Sequence, residues 1–155
     1  MAVPDNFNFS LQDVVNEIGC SADMLSCINN AIAGGYDPTW AGEVGLRKFR
    51  NYQHIYLNLD QYVLYFDFEG NACSTNVVNV TSNIDWYVVV ETSEITGASC
   101  YPSSGSGNGS VTFFCNEINY DGYIHASQMT FYRTSDDSYL NSCAVLENPY
   151  GQSCY

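Results

Sequence analysis

Basic side chains are scarce in this 155-residue sequence: four Lys and Arg stand against seventeen Asp and Glu, a formal charge of −13. Nucleic-acid binding and attachment to anionic membranes both need clustered Lys and Arg against phosphate, so neither partner is expected. Long apolar runs are missing too. The longest, "WYVVV", is strand-sized, far short of the roughly 20 residues that cross a bilayer, and no membrane partner is expected. The opening "MAVPDNFNFS" carries neither the basic nor the apolar segment of a secretion signal. The expectation is synthesis in a cytoplasm, with any exit from the cell as part of a larger particle released by lysis.

Motifs for chemistry are equally sparse. None of the seven cysteines forms a CxxC pair, and His54 and His125 lie far apart in sequence, so no metal site is expected. An odd cysteine count leaves at least one thiol unpaired within the chain. Cys100 and Cys115 flank a Gly-Ser stretch and are the best-placed pair; buried free thiols are the alternative. Asp121, Asp136 and Asp137 lack the alternating-oxygen spacing of a calcium loop and read as solvated turns. There is no GxSxG and no phosphate-cradling glycine loop with Lys. Carboxylate pairs are plentiful, but a domain of this size has little room for a deep cleft. The chain is read as non-enzymatic and without a cofactor.

What is present divides into two periods, an α+β organisation with a helical module over residues 1–54 and a β domain over 55–155. Ser10 is a candidate helix N-cap with Asp13 three residues on. Leu11, Val14, Val15 and Ile18 then share one helical face, and Gly19 suits the end. Ser21 is read as restarting a helix through Met24, Leu25, Ile28, Ala31 and Ile32, stopped by Gly34 and Gly35, with a short third segment from Glu43 to Phe49. From Ile55 the segments "QYVLYFDF", "NVVNVTS", "DWYVVVE", "SVTFFCNE", "IHASQMTFYR" and "YLNSCAVLE" are short, rich in Val, Tyr, Phe and Thr, and bounded by turn residues. That pattern predicts an all-β sandwich. The stretch "PSSGSGNGS" lies between two of these strands, so it reads as a loop inside one domain rather than a linker.

Residues of about 60–148 resemble the BACON domain, an immunoglobulin-like sandwich of Bacteroidetes and their phages, in "LYFDFEGN", "VVNVTSNIDWYVVV", "CYPSSGSGNGSVTFF" and "MTFYRTSDD". The end of the chain, "CAVLENPYGQSCY", departs from the Thr-Gln motif with which that family closes. The first half, in "FSLQDVVNEI", "MLSCINNAIAGGYDPTW" and "LRKFRNYQ", resembles an N-terminal module of structural proteins in Bacteroidetes phages. Together the resemblances imply a virion surface protein: a head fibre, decoration or tail-associated component. Its N-terminal module would attach to capsid, portal or tail proteins, and its outward Ig-like module would adhere to mucin or host-surface glycans. The alternative is a purely structural virion protein that binds no glycan. A homo-oligomer is expected in either case.

Two sets of residues are candidates for these contacts. Three of the four basic residues cluster in "LRKFR". Arg47, Lys48 and Arg50, with Phe49, Tyr52 and Trp40, form a candidate docking surface for an acidic partner; cations complementing a helix C-terminus are the structural alternative. Trp40 suits an interface anchor and a brace between helices equally. Residues 1–54 carry six acids and three bases, net −3, while 55–155 carry eleven acids and one base, net −10. For glycan binding, flat aromatic faces beside amides and carboxylates at loop tips point to Tyr101, Asn108, Asn119, Tyr120, Asp121 and Tyr123. The same residues also satisfy ordinary turn chemistry. Trp86, at the start of a strand, is assigned to the sandwich core.

Overall fold

The computed structural model describes residues 2–4, 8–31, 45–67, 69–91, 94–116 and 123–147. The chain divides into two compact units, Met1–Ile55 and Tyr56–Tyr155.

In the first unit α1 spans Leu11–Ile18. Its start is organised by Asp13, whose carboxylate accepts the Ser10 N–H at 2.7 Å and the Ser10 hydroxyl at 2.8 Å. Those bonds, the backbone one foremost, hold the Asp13 carboxyl below its usual value, because they stabilise the charged acceptor. Gly19 ends the helix at φ 75°, a left-handed cap conformation that residues with a side chain rarely adopt. A second helix, α2, spans Met24–Asn30 and begins at Asp23, whose side chain accepts the Ser26 N–H at 2.8 Å. The cap is therefore Asp23 and not Ser21, since an acceptor must directly precede the first turn to reach its orphan amides. From the expected third segment the structure describes a 3-10 turn, Leu46–Phe49; Glu43, Gly34 and Gly35 lie outside the described residues. Val3, Phe9, Val14, Val15, Cys27, Phe49 and Tyr52 form the buried core of this unit. The Val3 N–H donates to the Tyr52 carbonyl at 2.8 Å.

The second unit is a β-sandwich of nine described strands: β1 Leu57–Leu59, β2 Val63–Phe66, β3 Val77–Ser82, β4 Asp85–Glu91, β5 Ser99–Tyr101, β6 Ser104–Ser106, β7 Gly109–Phe114, β8 Ala126–Arg133 and β9 Tyr139–Glu147. One sheet has the order β1-β3-β7-β5, the other β2-β9-β8-β4-β6. The pairs are antiparallel except for β2 with β9, which is parallel. The period-2 pattern of the sequence is kept in β3, where Val78 and Val80 face inward while Asn79 and Thr81 face solvent. Leu57, Leu59, Val78, Val80, Val111 and Phe113 from one sheet meet Leu64, Phe66, Trp86, Val88, Met129, Phe131, Cys143 and Val145 from the other in one core. Trp86, only 1% exposed, occupies the core as expected.

The Gly-Ser stretch is more than a loop. The chain leaves the first sheet after β5 at the cis peptide Tyr101–Pro102 and joins the second as β6. Gly105 lies opposite Trp86 in the β4–β6 register, and a Cβ there would fall 2.4 Å from the indole Cζ2. The indole N–H donates to the Gly107 carbonyl at 2.9 Å. Glycine is used here because an edge strand must lie flat on the Trp86 ring. Cys100 and Cys115, the best-placed pair by sequence, are both free thiols. In the β5–β7 register Cys100 faces Phe113, so Cys115 is two positions out of step, too far for a covalent bridge. Cys73 is disulfide-bonded.

Candidate functional site

On β4, β8 and β9 the residues that alternate with the core point away from it. Tyr87 on β4 lies opposite Tyr132 on β8, and Tyr132 lies opposite Tyr139 on β9. A β-bulge between Phe131 and Tyr132 sets that last pairing. The result is a row of three tyrosines across three strands. The Tyr87 and Tyr132 rings stack at 5.4 Å with 23° between planes, a favourable cross-strand aromatic contact.

Each hydroxyl of the row is held. Tyr132 donates to Glu91 Oε1 at 2.5 Å and Tyr87 to Asp137 Oδ1 at 3.0 Å, while Tyr139 shares a hydrogen bond with Ser142 Oγ at 3.3 Å. The bond to Glu91, with burial and the Glu91 charge behind it, raises the Tyr132 phenol above its ordinary value. Burial, and then the bond to Asp137, raise that of Tyr87. Asp137 reaches Tyr87 from a turn in which its own φ is 56°, a left-handed position that Asp tolerates better than most residues.

Where β4 begins and β8 ends, a cleft of about 390 Å³ is lined by Asn83, Ile84, Asp85, Arg133, Thr134 and Ser135. The β3–β4 and β8–β9 turns build its walls, and the Thr134 N–H donates to the Asp85 carbonyl at 3.2 Å. Arg133, the one Lys or Arg in residues 55–155, pairs with Asp136 at 3.2 Å. The Asp136 carboxyl is held below its usual value, first by the Ser138 hydroxyl and amide and then by Arg133. Chemically the cleft offers guanidinium donors, carboxylate acceptors, an amide and hydroxyls side by side. Such a set fits a ligand rich in paired hydroxyls.

The residues singled out by sequence are dispersed. Tyr101 ends β5 on the other sheet, 74% exposed, opposite Thr112 and one diagonal step from the exposed Phe114. Asn108 Oδ1 accepts the Ser82 N–H at 3.0 Å, so it braces the turn that leads to the cleft. Tyr123, 77% exposed, precedes β8, whereas Arg133 ends it. Asn119, Tyr120 and Asp121 lie outside the described residues, as does Trp40. Of the docking candidates, Arg47 is exposed and Lys48 and Arg50 are partly buried. Phe49 and Tyr52 require correction: both are 0% exposed and pack edge to face at 5.3 Å in the helical core. An aromatic ring spent on the core leaves nothing for a partner. The sequence reading missed Tyr87, Tyr132, Tyr139 and Arg133. For Tyr87 and Tyr132 the signal was the outward half of the alternation in "DWYVVVE" and "MTFYR".

No protein-family model matches the chain, and no curated protein matches it. Solved structures with similarity include a Bacteroides ovatus GH5 xyloglucanase in complex with a XXXG heptasaccharide, at 17% identity and TM-score 0.46. That overlap covers 59% of this chain and 18% of the xyloglucanase chain, so this chain spans less than a fifth of it. WR4, a C. elegans MSP family member, overlaps 61% of this chain and 97% of its own at 13% identity and TM-score 0.40. The ASH/PapD-like domain 7 of human CEP192 overlaps 59% and 83% at 12% identity and TM-score 0.41.

Proposed function

We propose that this chain is an adhesion protein of a phage particle whose sandwich binds neutral glycans at the Arg133 cleft and the tyrosine row beside it. One observation carries the reading: a polar cleft sets Arg133 beside the Asp85 carboxylate, the Asn83 amide and the Thr134 and Ser135 hydroxyls. Sugar hydroxyls call for such donors and acceptors, and the apolar faces of pyranose rings for exposed aromatics such as Tyr139, 61% exposed. Asp85 lines the cleft with Arg133, and Asp136 pairs with Arg133 at 3.2 Å. That balance disfavours sialylated or sulfated sugars. The resemblance of "SNIDW" and "PSSGSGNG" to the BACON domain supports the glycan class. The resemblance of residues 1–54 to a phage structural module supports attachment to other virion proteins, where copy number multiplies weak contacts.

A second reading has its own support. The Tyr87 and Tyr132 rings turn their flat faces toward each other and leave edges outward, which suits packing against a protein neighbour. In that case the sandwich is a structural element of the particle. Retention of the full-length protein, displayed multivalently on beads, on mucin before and after enzymatic deglycosylation separates the two. Adhesion predicts retention that is lost on deglycosylation, increased on desialylation, and abolished by Arg133→Gln or Tyr139→Ala. Absence of retention at bead multivalency refutes adhesion and favours the structural role.

A further inference from the structure

Cys20 follows the left-handed Gly19 at the end of α1, and Cys27 sits within α2. Their sulfur atoms are 3.2 Å apart, roughly an ångström beyond the covalent S–S length of about 2.05 Å. The other free thiols of the described residues are placed differently: Cys100 and Cys115 are out of register, and Cys143 is buried on β9 with its sulfur toward the Ala144 carbonyl. Cys27 is fully buried, whereas Cys20 is partly exposed. The two therefore differ in access but share one contact. Among its described residues the unit around them has α-helices of eight and seven residues and a small core, the situation in which small folds gain most from a covalent staple.

We propose that Cys20 and Cys27 are a disulfide-forming pair that staples the end of α1 to α2 by exchange with an external disulfide of the glutathione class. The Cys20 thiolate attacks one sulfur of the external disulfide, its S–S bond breaks, and one thiolate leaves with the electron pair. The Cys27 thiol then gives its proton to solvent and attacks the Cys20 sulfur of the mixed disulfide, expelling the second thiolate. Two protein thiols are oxidised by two electrons, and one external disulfide is reduced to two thiols. Burial, with the Cys20 contact, holds the Cys27 thiol up to about 11, so the second step is the slower one at neutral pH.

The test uses the full-length protein incubated with oxidised glutathione, then unfolded, alkylated and digested for peptide mapping. The expected result is a Cys20–Cys27 cross-linked peptide with both thiols lost from the alkylated pool. In Cys27→Ser the second step is blocked, so glutathione is expected to remain on Cys20. Complete alkylation of Cys20 and Cys27 in wild type, under conditions that oxidise a control dithiol, overturns the proposal. So does linkage of either residue to a different cysteine. The wild-type map stands by itself if the variant does not fold.

Discussion

Replacing Gly105 with alanine places a methyl group 2.4 Å from Cζ2 of Trp86 and within 3.0 Å of two more indole atoms. Carbon atoms in contact prefer about 3.5–4.0 Å, so one side must give by more than an ångström. The indole is not free to move, because its N–H is bonded to the Gly107 carbonyl at 2.9 Å and its ring packs on Phe131 at 5.8 Å. The strand β6 has three residues and lies at a sheet edge, so it is the element that lifts. Overpacking of this kind costs about 1–3 kcal/mol, and the loss of glycine freedom in the unfolded chain returns about 0.4–1 kcal/mol. The expected net destabilisation is about 1–2 kcal/mol, a fall of roughly 5–15 °C in the midpoint for a unit of this size. Urea and thermal unfolding of Gly105→Ala, Trp86→Phe and the double variant, followed by circular dichroism, measure it. The smaller phenyl ring is expected to relieve the clash, so the double variant is more stable than the summed costs by about 1 kcal/mol or more. A Gly105→Ala protein as stable as wild type, or costs that add, would refute the packing argument.

Further outcomes are expected. Tyr87 and Tyr132 are raised above the ordinary value of 10.0, so ultraviolet titration should show these two ionising after the exposed tyrosines. Stability from a group with a raised folded pKa is whole below the unfolded value and is lost as pH climbs through the folded one; Glu91→Gln should bring Tyr132 down, and no change in its titration counts against the bond. Asp13 is shifted the other way, below 3.8, so its support of α1 is present above that pH and is lost as pH falls through the lower folded value. Protection of the first-turn amides of α1, relative to their intrinsic exchange rates, should fall only in that acidic range, and that fall should be absent in Asp13→Asn. Closing the loop from Cys20 to Cys27 should add about 2.5 kcal/mol to the helical unit by the chain-entropy relation. Equal unfolding midpoints for the oxidised and reduced forms would contradict that figure.

Several elements are legible locally because their signals are local. The valine and aromatic alternation of β3, β4, β8 and β9 has one solution when a single face is buried, and Ser10, Asp13 and Gly19 mark the ends of α1. β1, β5 and β6 are three residues each, too short to show a period. "SGS" is a strand only because Trp86 needs a thin cover and β4 an edge partner. Phe49 and Tyr52 stand beside Arg47, Lys48 and Arg50 in sequence, yet packing takes the rings inward. Adjacency along the chain says nothing about which neighbour a core will claim.

The sequence by itself determines that the chain carries a helical part and a β part, that its β part is strongly acidic, and that Trp86 belongs to the core. These follow from composition and from periods of a few residues. Only the tertiary structure decides that Tyr87, Tyr132 and Tyr139 form one row and that Arg133 meets Asp85 in one cleft. It also brings the Cys20 and Cys27 sulfurs to 3.2 Å. The tyrosine row depends on the register between strands distant in the chain and on a bulge between Phe131 and Tyr132. A one-residue slip there would turn every side chain to the other face, and that choice is settled by the packing of the whole sandwich.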